Sequence, residues 1–230
     1  MSKVSDDYHD YVFKDGKLLG QFDDMYRHSR EVPWHQDKTA NQVFVDLDIA
    51  ILKHFLPELG IRSICDLGCG LGYVAARLYA ELSPLVAGLD VTGIDVSSEA
   101  AARARLLHPQ LSFHGIDILR DDISPWQGRF DLLYVKDVLW YVALDAGQFF
   151  DRARELLKPG GAIYMLQSVP DRPSFVGSDI FPTTFSIAEF LSKDFESIYV
   201  SSTYEINSNR VVGNYEKDKY LRFLGRKASH

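Results

Sequence analysis

The stretch Asp66-Leu67-Gly68-Cys69-Gly70-Leu71-Gly72 sets an acid ahead of three alternate glycines. Glycines in such a run let the backbone turn sharply and pass close to a ligand. A carboxylate at Asp66 repels a pyrophosphate and suits a ligand carrying an ammonium group and a sulfonium. The spacing G-x-G-x-G also departs from the G-x-G-x-x-G of dinucleotide sites, where pyrophosphate rests on a helix N-terminus. Taken alone, the loop is equally an ordinary tight strand-to-helix turn. Two more acids follow. Asp95, in GIDVS, can accept both hydroxyls of a ribose. Its rival Asp90 falls at the start of the same apolar run, on the wrong edge, and Ser97 is available as a helix cap, which leaves Asp95 free. Asp117, in GIDI, can accept a hydrogen bond from an adenine amino group, or be a solvated loop acid.

These acids need strands to end at them. Short apolar runs at Ser63–Leu67, Val91–Asp95, Leu111–His114, Leu132–Val135 and Ala162–Gln167 alternate with helical patterns at Tyr73–Leu82, Ser98–Leu107 and Asp145–Leu157. That rhythm predicts βαβ units in a parallel sheet. An earlier helix begins after Asn41, with Val43, Phe44, Leu47, Ile51, Leu52 and Phe55 as its apolar face and Pro57 and Gly60 as its stop. Residues 170–186 predict an irregular loop, and Ile187–Leu191 a helical piece. Ile198–Glu205 and Tyr220–Arg226 predict an antiparallel pair at the sheet edge, joined by a polar connector. Tyr215 and Lys219, spaced as in short-chain dehydrogenases, fall in that connector and not on a helix.

The chain has 230 residues, 46% hydrophobic and 25% charged, with a net charge of −7. The length fits one domain with an appended segment. With no basic block beyond the short RFLGRK tail, a nucleic-acid partner is disfavoured. No apolar run reaches the ~18 to 20 residues that span a bilayer, and the acidic, aromatic start is not a signal peptide, so the expected location is cytoplasmic. Cys65 and Cys69 are a poor zinc site and read as small buried residues around a turn; no metal is expected.

Together, ICDLGCGLGYVA, VTGIDVS, GIDIL, FDLLYVKDVLWYV and LLKPGGAIYML resemble the motifs of class I S-adenosylmethionine-dependent methyltransferases, in the family's order from about Arg62 to Gln167. The resemblance implies an α/β, Rossmann-like fold. Its seven-stranded, mostly parallel sheet has an antiparallel last strand, helices on both faces and, here, an N-terminal helical lid extension. It implies S-adenosyl-L-methionine as cofactor, with Gly68 and Gly70, beside Asp66 and Cys69, facing the methionine part. Asp95 would take the ribose, Asp117 the adenine amino group, and Val96 and Ile118 the two faces of the adenine. The backbone at Lys136 would meet the ammonium group. Glu31-Val32-Pro33-Trp34 and Lys136-Asp137-Val138-Leu139-Trp140-Tyr141 are similar to stretches of the nodulation N-methyltransferases (NodS-like proteins), which implies a small-molecule, sugar-bearing acceptor. Lys136 ahead of Asp137 and the longer Pro170–Ser186 loop depart from that pattern.

Residues 1–40 then read as a lid over a methyltransferase domain of residues 41–230. In small-molecule methyltransferases such segments fold over the cofactor. Trp34 and Tyr26 would line the site, or only staple the segment down. Arg27 or Arg30 would pair with the cofactor carboxylate, and His35 could act as a base. Asp137, at the end of the fourth strand, is the first choice for base or amine-orienting group, with His35 and Tyr141 next; Asp137 as a helix cap is the plainer alternative. A phenolic or polyketide-type acceptor stands second to the glycan. A nicotinamide oxidoreductase and a non-catalytic cofactor-binding scaffold are the alternatives of other classes.

Overall fold

The structure, a computed structural model, describes residues 4–40, 42–170, 176–209 and 214–228. Parts of the Pro170–Ser186 loop (171–175) and of the polar connector (210–213) lie outside the described residues. The extension holds α1 (His9–Val12), a two-residue hairpin of β1 (Phe13–Lys14) and β2 (Lys17–Leu18), α2 (Phe22–His28) and α3 (Gln36–Thr39). The long helix α4 (Val43–Leu59) leads into β3 (Ser63–Leu67), α5 (Tyr73–Leu82), β4 (Asp90–Asp95), α6 (Ser98–Leu107), β5 (Ser112–Gly115) and β6 (Phe130–Lys136). After α7 (Leu139–Val142) and α8 (Ala146–Leu156) come β7 (Leu157–Pro170), α9 (Thr184–Leu191), β8 (Phe195–Asn209) and β9 (Asn214–Lys227).

The main sheet has seven strands in the order β5-β4-β3-β6-β7-β9-β8. The strands from β3 to β7 pair in parallel, while β9 runs antiparallel to both β7 and β8. The edge pair is therefore antiparallel as read, but the last strand is inserted inside it and β8 takes the rim. Strand order reverses between β3 and β6, and ligands of open α/β sheets bind beyond the strand ends at such a reversal. One face packs under α8 and α9, with Val135, Met165, Phe150 and Ile187 in its core. The other packs under α4, α5 and α6, with Ile64, Val91, Leu52 and Leu78. Tyr215 and Lys219 are strand residues of β9, opposite Ser208 and Tyr204, and not part of a loop.

The buried face of α4 differs from the apolar count. Val45, Asp48, Ile49, Leu52 and Leu56 point inward, whereas Val43 is 60% and Leu47 44% exposed. The cause is Asp48, a charged residue on the core side. Its Oδ1 accepts from Arg222 Nε at 2.7 Å and Tyr164 OH at 2.9 Å, and its Oδ2 from Tyr134 OH at 2.7 Å. Arg222 also donates to Thr203 Oγ1 and to the Phe44 carbonyl. Pro57 does not stop the helix; it sits in the last turn, and Gly60 at φ 61° ends it.

Removing one member of a buried ion pair leaves the other uncompensated. Asp48→Ala should cost about 3–5 kcal/mol of unfolding free energy. Urea titration checks it, and pairing Asp48→Ala with Arg222→Met should lose less than the sum of the two single changes.

Candidate active site

A cavity of about 750 Å³ opens beyond the carboxyl ends of β3, β4 and β6. That is within the range of cofactor sites. Gly68, Gly70 and Gly72 all have positive φ, at 83°, 52° and 78°, so each takes a conformation that side chains disfavour. Space is equally restrictive: a Cβ on Gly68 would lie 2.4 Å from Val138 Cγ2, and one on Gly72 2.5 Å from the Phe113 ring. The loop is tied to its neighbour strand, since Gly68 N–H donates to the Ile94 carbonyl at 2.7 Å and Gly70 N–H to Asp95 Oδ2 at 2.7 Å. Ser97 N–H donates to Asp95 Oδ1 at 2.9 Å, and Ser97 Oγ caps α6 by accepting from Ala100 N–H.

Five aspartates, Asp66, Asp95, Asp117, Asp137 and Asp145, line the cavity against Lys136 and Arg120. Asp66 is 2% exposed and its Oδ2 has no hydrogen-bond partner. Such an orphan fits a ligand donor, and an ammonium group would satisfy it. Burial, with Asp95 adding to it against the pull of Lys136, pushes the Asp66 carboxyl up to about 7. Burial also pushes Asp95 up to about 6; the Ser97 and Gly70 N–H groups oppose this and Asp23 reinforces it. Val96 lines the cavity with its apolar side chain 46% exposed, beside the buried Ile118. Asp117 Oδ1 accepts from Leu119 N–H at 2.9 Å, and Oδ2 lies 3.7 Å from Arg120 Nε.

At the end of β6, Asp137 has φ 54°, a strained value outside glycine that clusters at functional sites. Three bonds hold it there: its N–H to the Leu166 carbonyl, Oδ1 from Ser168 N–H at 2.8 Å and Oδ2 from Lys136 Nζ at 2.9 Å. Burial works against its charge, but Lys136 and Ser168 outweigh it and hold Asp137 below the usual carboxylate range. Burial also opposes the Lys136 charge, and Asp137 leads the acids that nevertheless raise that lysine. Tyr141 sits among extension rings, with Phe13 at 5.9 Å, Phe22 at 5.5 Å and Trp34 at 5.8 Å. Burial pushes its phenol well above the ordinary value.

The structure thus brings Asp66, Gly68, Cys69, Asp95, Val96, Asp117, Ile118, Lys136, Asp137, Tyr141 and Trp34 to one cavity, with Gly70 in its supporting loop. It does not bring His35, which is half-exposed with Nδ1 3.9 Å from Glu31 Oε2 and does not line the cavity. Nor do Arg27 and Arg30 line it; Arg27 pairs with Asp24 at 2.8 Å instead. Sequence reading missed Gln36, Asp23 and Phe44. The first two mark no pattern in the sequence because their partners are backbone groups of other elements, Leu71 N–H and Glu99 N–H.

Residues 65–163 match the family described as methyltransferase domain. That match runs from β3 into β7, the strands whose ends carry the glycine loop and the acids. It is 34% identical over 104 residues to a ubiquinone biosynthesis O-methyltransferase of Nitrobacter winogradskyi, covering 44% of this chain and 36% of that one. It is 29% identical over 158 residues to a carboxy-S-adenosyl-L-methionine synthase of Chromohalobacter salexigens, covering 67% of this chain and 54% of that one. The chain thus spans about a third to a half of the length of these curated relatives. In fold it is similar to N-methyltransferase NodS from Bradyrhizobium japonicum in complex with S-adenosyl-L-homocysteine, at a TM-score of 0.59 and 19% identity over 87% of this chain and 94% of that one. S-adenosyl-L-methionine is the methyl donor of such domains, and the orphaned Asp66 oxygen, the glycine loop and Asp95 fit it.

The two raised carboxyls give a pH signature. Their folded pKa values, about 7 and about 6, lie above the unfolded value near 3.9. The apo fold therefore holds extra protons between about pH 4 and 7, and this contribution to stability is lost as pH rises through 6 and then 7. A cationic ligand favours the carboxylates, so binding releases protons in that window. The rise in melting temperature with S-adenosylhomocysteine, whose ammonium group remains, should be larger at pH 8 than at pH 5.5. Asp66→Asn should flatten the difference; an equal rise at both pH values in the unaltered protein would contradict the assignment.

Proposed function

We propose that this methyltransferase transfers a methyl group from S-adenosyl-L-methionine to a small-molecule acceptor, preferably an amine or hydroxyl of an amino sugar or glycan, in the cytoplasm and without a nucleic-acid partner. The observation that carries the cofactor side is the buried Asp66 carboxyl, with its Oδ2 unpartnered, near Asp95 at the ends of two adjacent strands. The bound cofactor supplies an already activated methyl group, so the protein's main task is to position the nucleophile. Asp137, kept ionised and fixed by two hydrogen bonds, suits orienting a donor such as an amine better than removing a proton. Residues 1–40 act as a lid: their rings around Tyr141 shield the reacting centre from water.

The glycan preference is supported by the EVPW stretch and the Lys136–Tyr141 loop shared in outline with the NodS-like proteins. A phenolic acceptor is the second reading. The rings of Trp34, Phe22 and Tyr141 favour it, because aromatic faces receive a flat ring as readily as a sugar.

Labelled methyl transfer into fractionated cell extract separates these readings. Label in a sugar-bearing fraction is the expected result, and label confined to apolar phenolics would replace it with the second reading. Asp95→Ala should weaken S-adenosylhomocysteine binding by roughly 10- to 100-fold, the range for a hydrogen bond to a charged group, as read by calorimetry. Binding at the unaltered strength would place the ribose elsewhere.

A further inference from the structure

We infer that Asp23 and Gln36 of the extension are positioning residues for the cofactor: Asp23 braces the turn that aims Asp95, and Gln36 braces the glycine loop at Leu71. The inference rests on the reading that Asp95 and the glycine loop hold S-adenosylmethionine. Asp23 Oδ1 accepts from Ser97 Oγ at 2.7 Å and from Glu99 N–H at 3.1 Å. Ser97 is the same residue whose N–H holds Asp95 Oδ1, so the extension fixes the turn from its outer side. On the glycine side two consecutive N–H groups are shared out. Gly70 N–H goes to Asp95, and Leu71 N–H goes to Gln36 Oε1 at 2.9 Å. Gln36 Nε2 in turn donates to Tyr26 OH at 3.0 Å, and Tyr26 is buried. A Cβ on Gly70 would lie 2.4 Å from Gln36 Nε2 and 2.7 Å from Tyr26 OH, so these side chains rest directly on the loop backbone.

A segment that only covered the domain had many surfaces to choose from. Besides a bond from Arg77 of α5 to the Ala40 carbonyl, this one places side-chain acceptors on the two segments that flank the cavity, Gln36 on Leu71 N–H and Asp23 on Ser97 Oγ and Glu99 N–H. Release of the cofactor then requires the extension to let go of both.

The test uses the full chain with S-adenosylhomocysteine as probe. Dissociation rate is followed by displacement with excess S-adenosylmethionine, and exchange of backbone amides in residues 22–40 by mass spectrometry. Asp23→Ala and Gln36→Ala should each speed release by about ten-fold and remove the protection that the probe confers on residues 22–40. Asp23→Asn keeps an acceptor oxygen and should stay within about three-fold of the unaltered protein. With an acceptor in hand, the alanine variants should raise KM for the donor while kcat moves less than about two-fold. Asp23 lies at the surface and Gln36 is part-buried, so if one variant fails to fold the other still decides. Folded alanine variants that release the probe at the unaltered rate would overturn the inference. An unaltered protein that does not bind the probe at all would instead overturn the cofactor reading beneath it.

Discussion

The carboxylate of Asp48 and the guanidinium of Arg222 meet where neither touches water. Burying two charges is costly unless every lone pair and proton finds a partner. Here both Asp48 oxygens are taken, by Arg222 and Tyr164 on one and by Tyr134 on the other. The network ties α4 to β6, β7 and β9 at once, and it reaches the cavity through its outer members. Phe44 lies over Arg222 at 5.7 Å and stacks on Tyr220 at 4.4 Å, and both rings line the site. Tyr134 stands two residues before Lys136 on the same strand. One wall of the candidate site is thus an extension of an internal charge pair.

Legibility in the sequence followed the range of the interactions. Strands and helices from Ser63 to Leu107 coincide with the apolar rhythm because each is specified by its own residues. The glycine loop and the acids at strand ends were visible for the same reason: a turn and a carboxylate at fixed spacing are local facts. The face of α4 was not legible, since its partner Arg222 lies 174 residues away. His35, Arg27 and Arg30 carried suitable chemistry but no information on direction. The turn at Trp34 and His35, where φ is 51° and 48°, leaves His35 out of the cavity lining while Trp34 stands in it. Nothing local announced that two bulky residues would adopt the left-handed region in succession.

Charge organises the candidate site in two zones. Around Asp66 and Asp95 burial outweighs what opposes it, the pull of Lys136 on one and the Ser97 and Gly70 N–H groups on the other, and both carboxyls stay raised. Around Asp137 the acid is already compensated by Lys136 and remains ionised. Burial is common to both zones, and the difference is that Lys136 Nζ bonds Asp137 directly at 2.9 Å while it acts on Asp66 only through space. On the proposed assignment of these acids, cofactor binding is coupled to protons, whereas Asp137 stays ionised.

Strand β9 lies inside the sheet, between β7 and β8, and carries Arg222. During vectorial synthesis the helix bearing Asp48 leaves the ribosome long before that arginine does. Until residues 214–227 have emerged, Asp48 has no cation to join it in the core, and β8 has no neighbour through which to enter the sheet. The β3–β7 half can therefore assemble early, but completion of the sheet waits for β9.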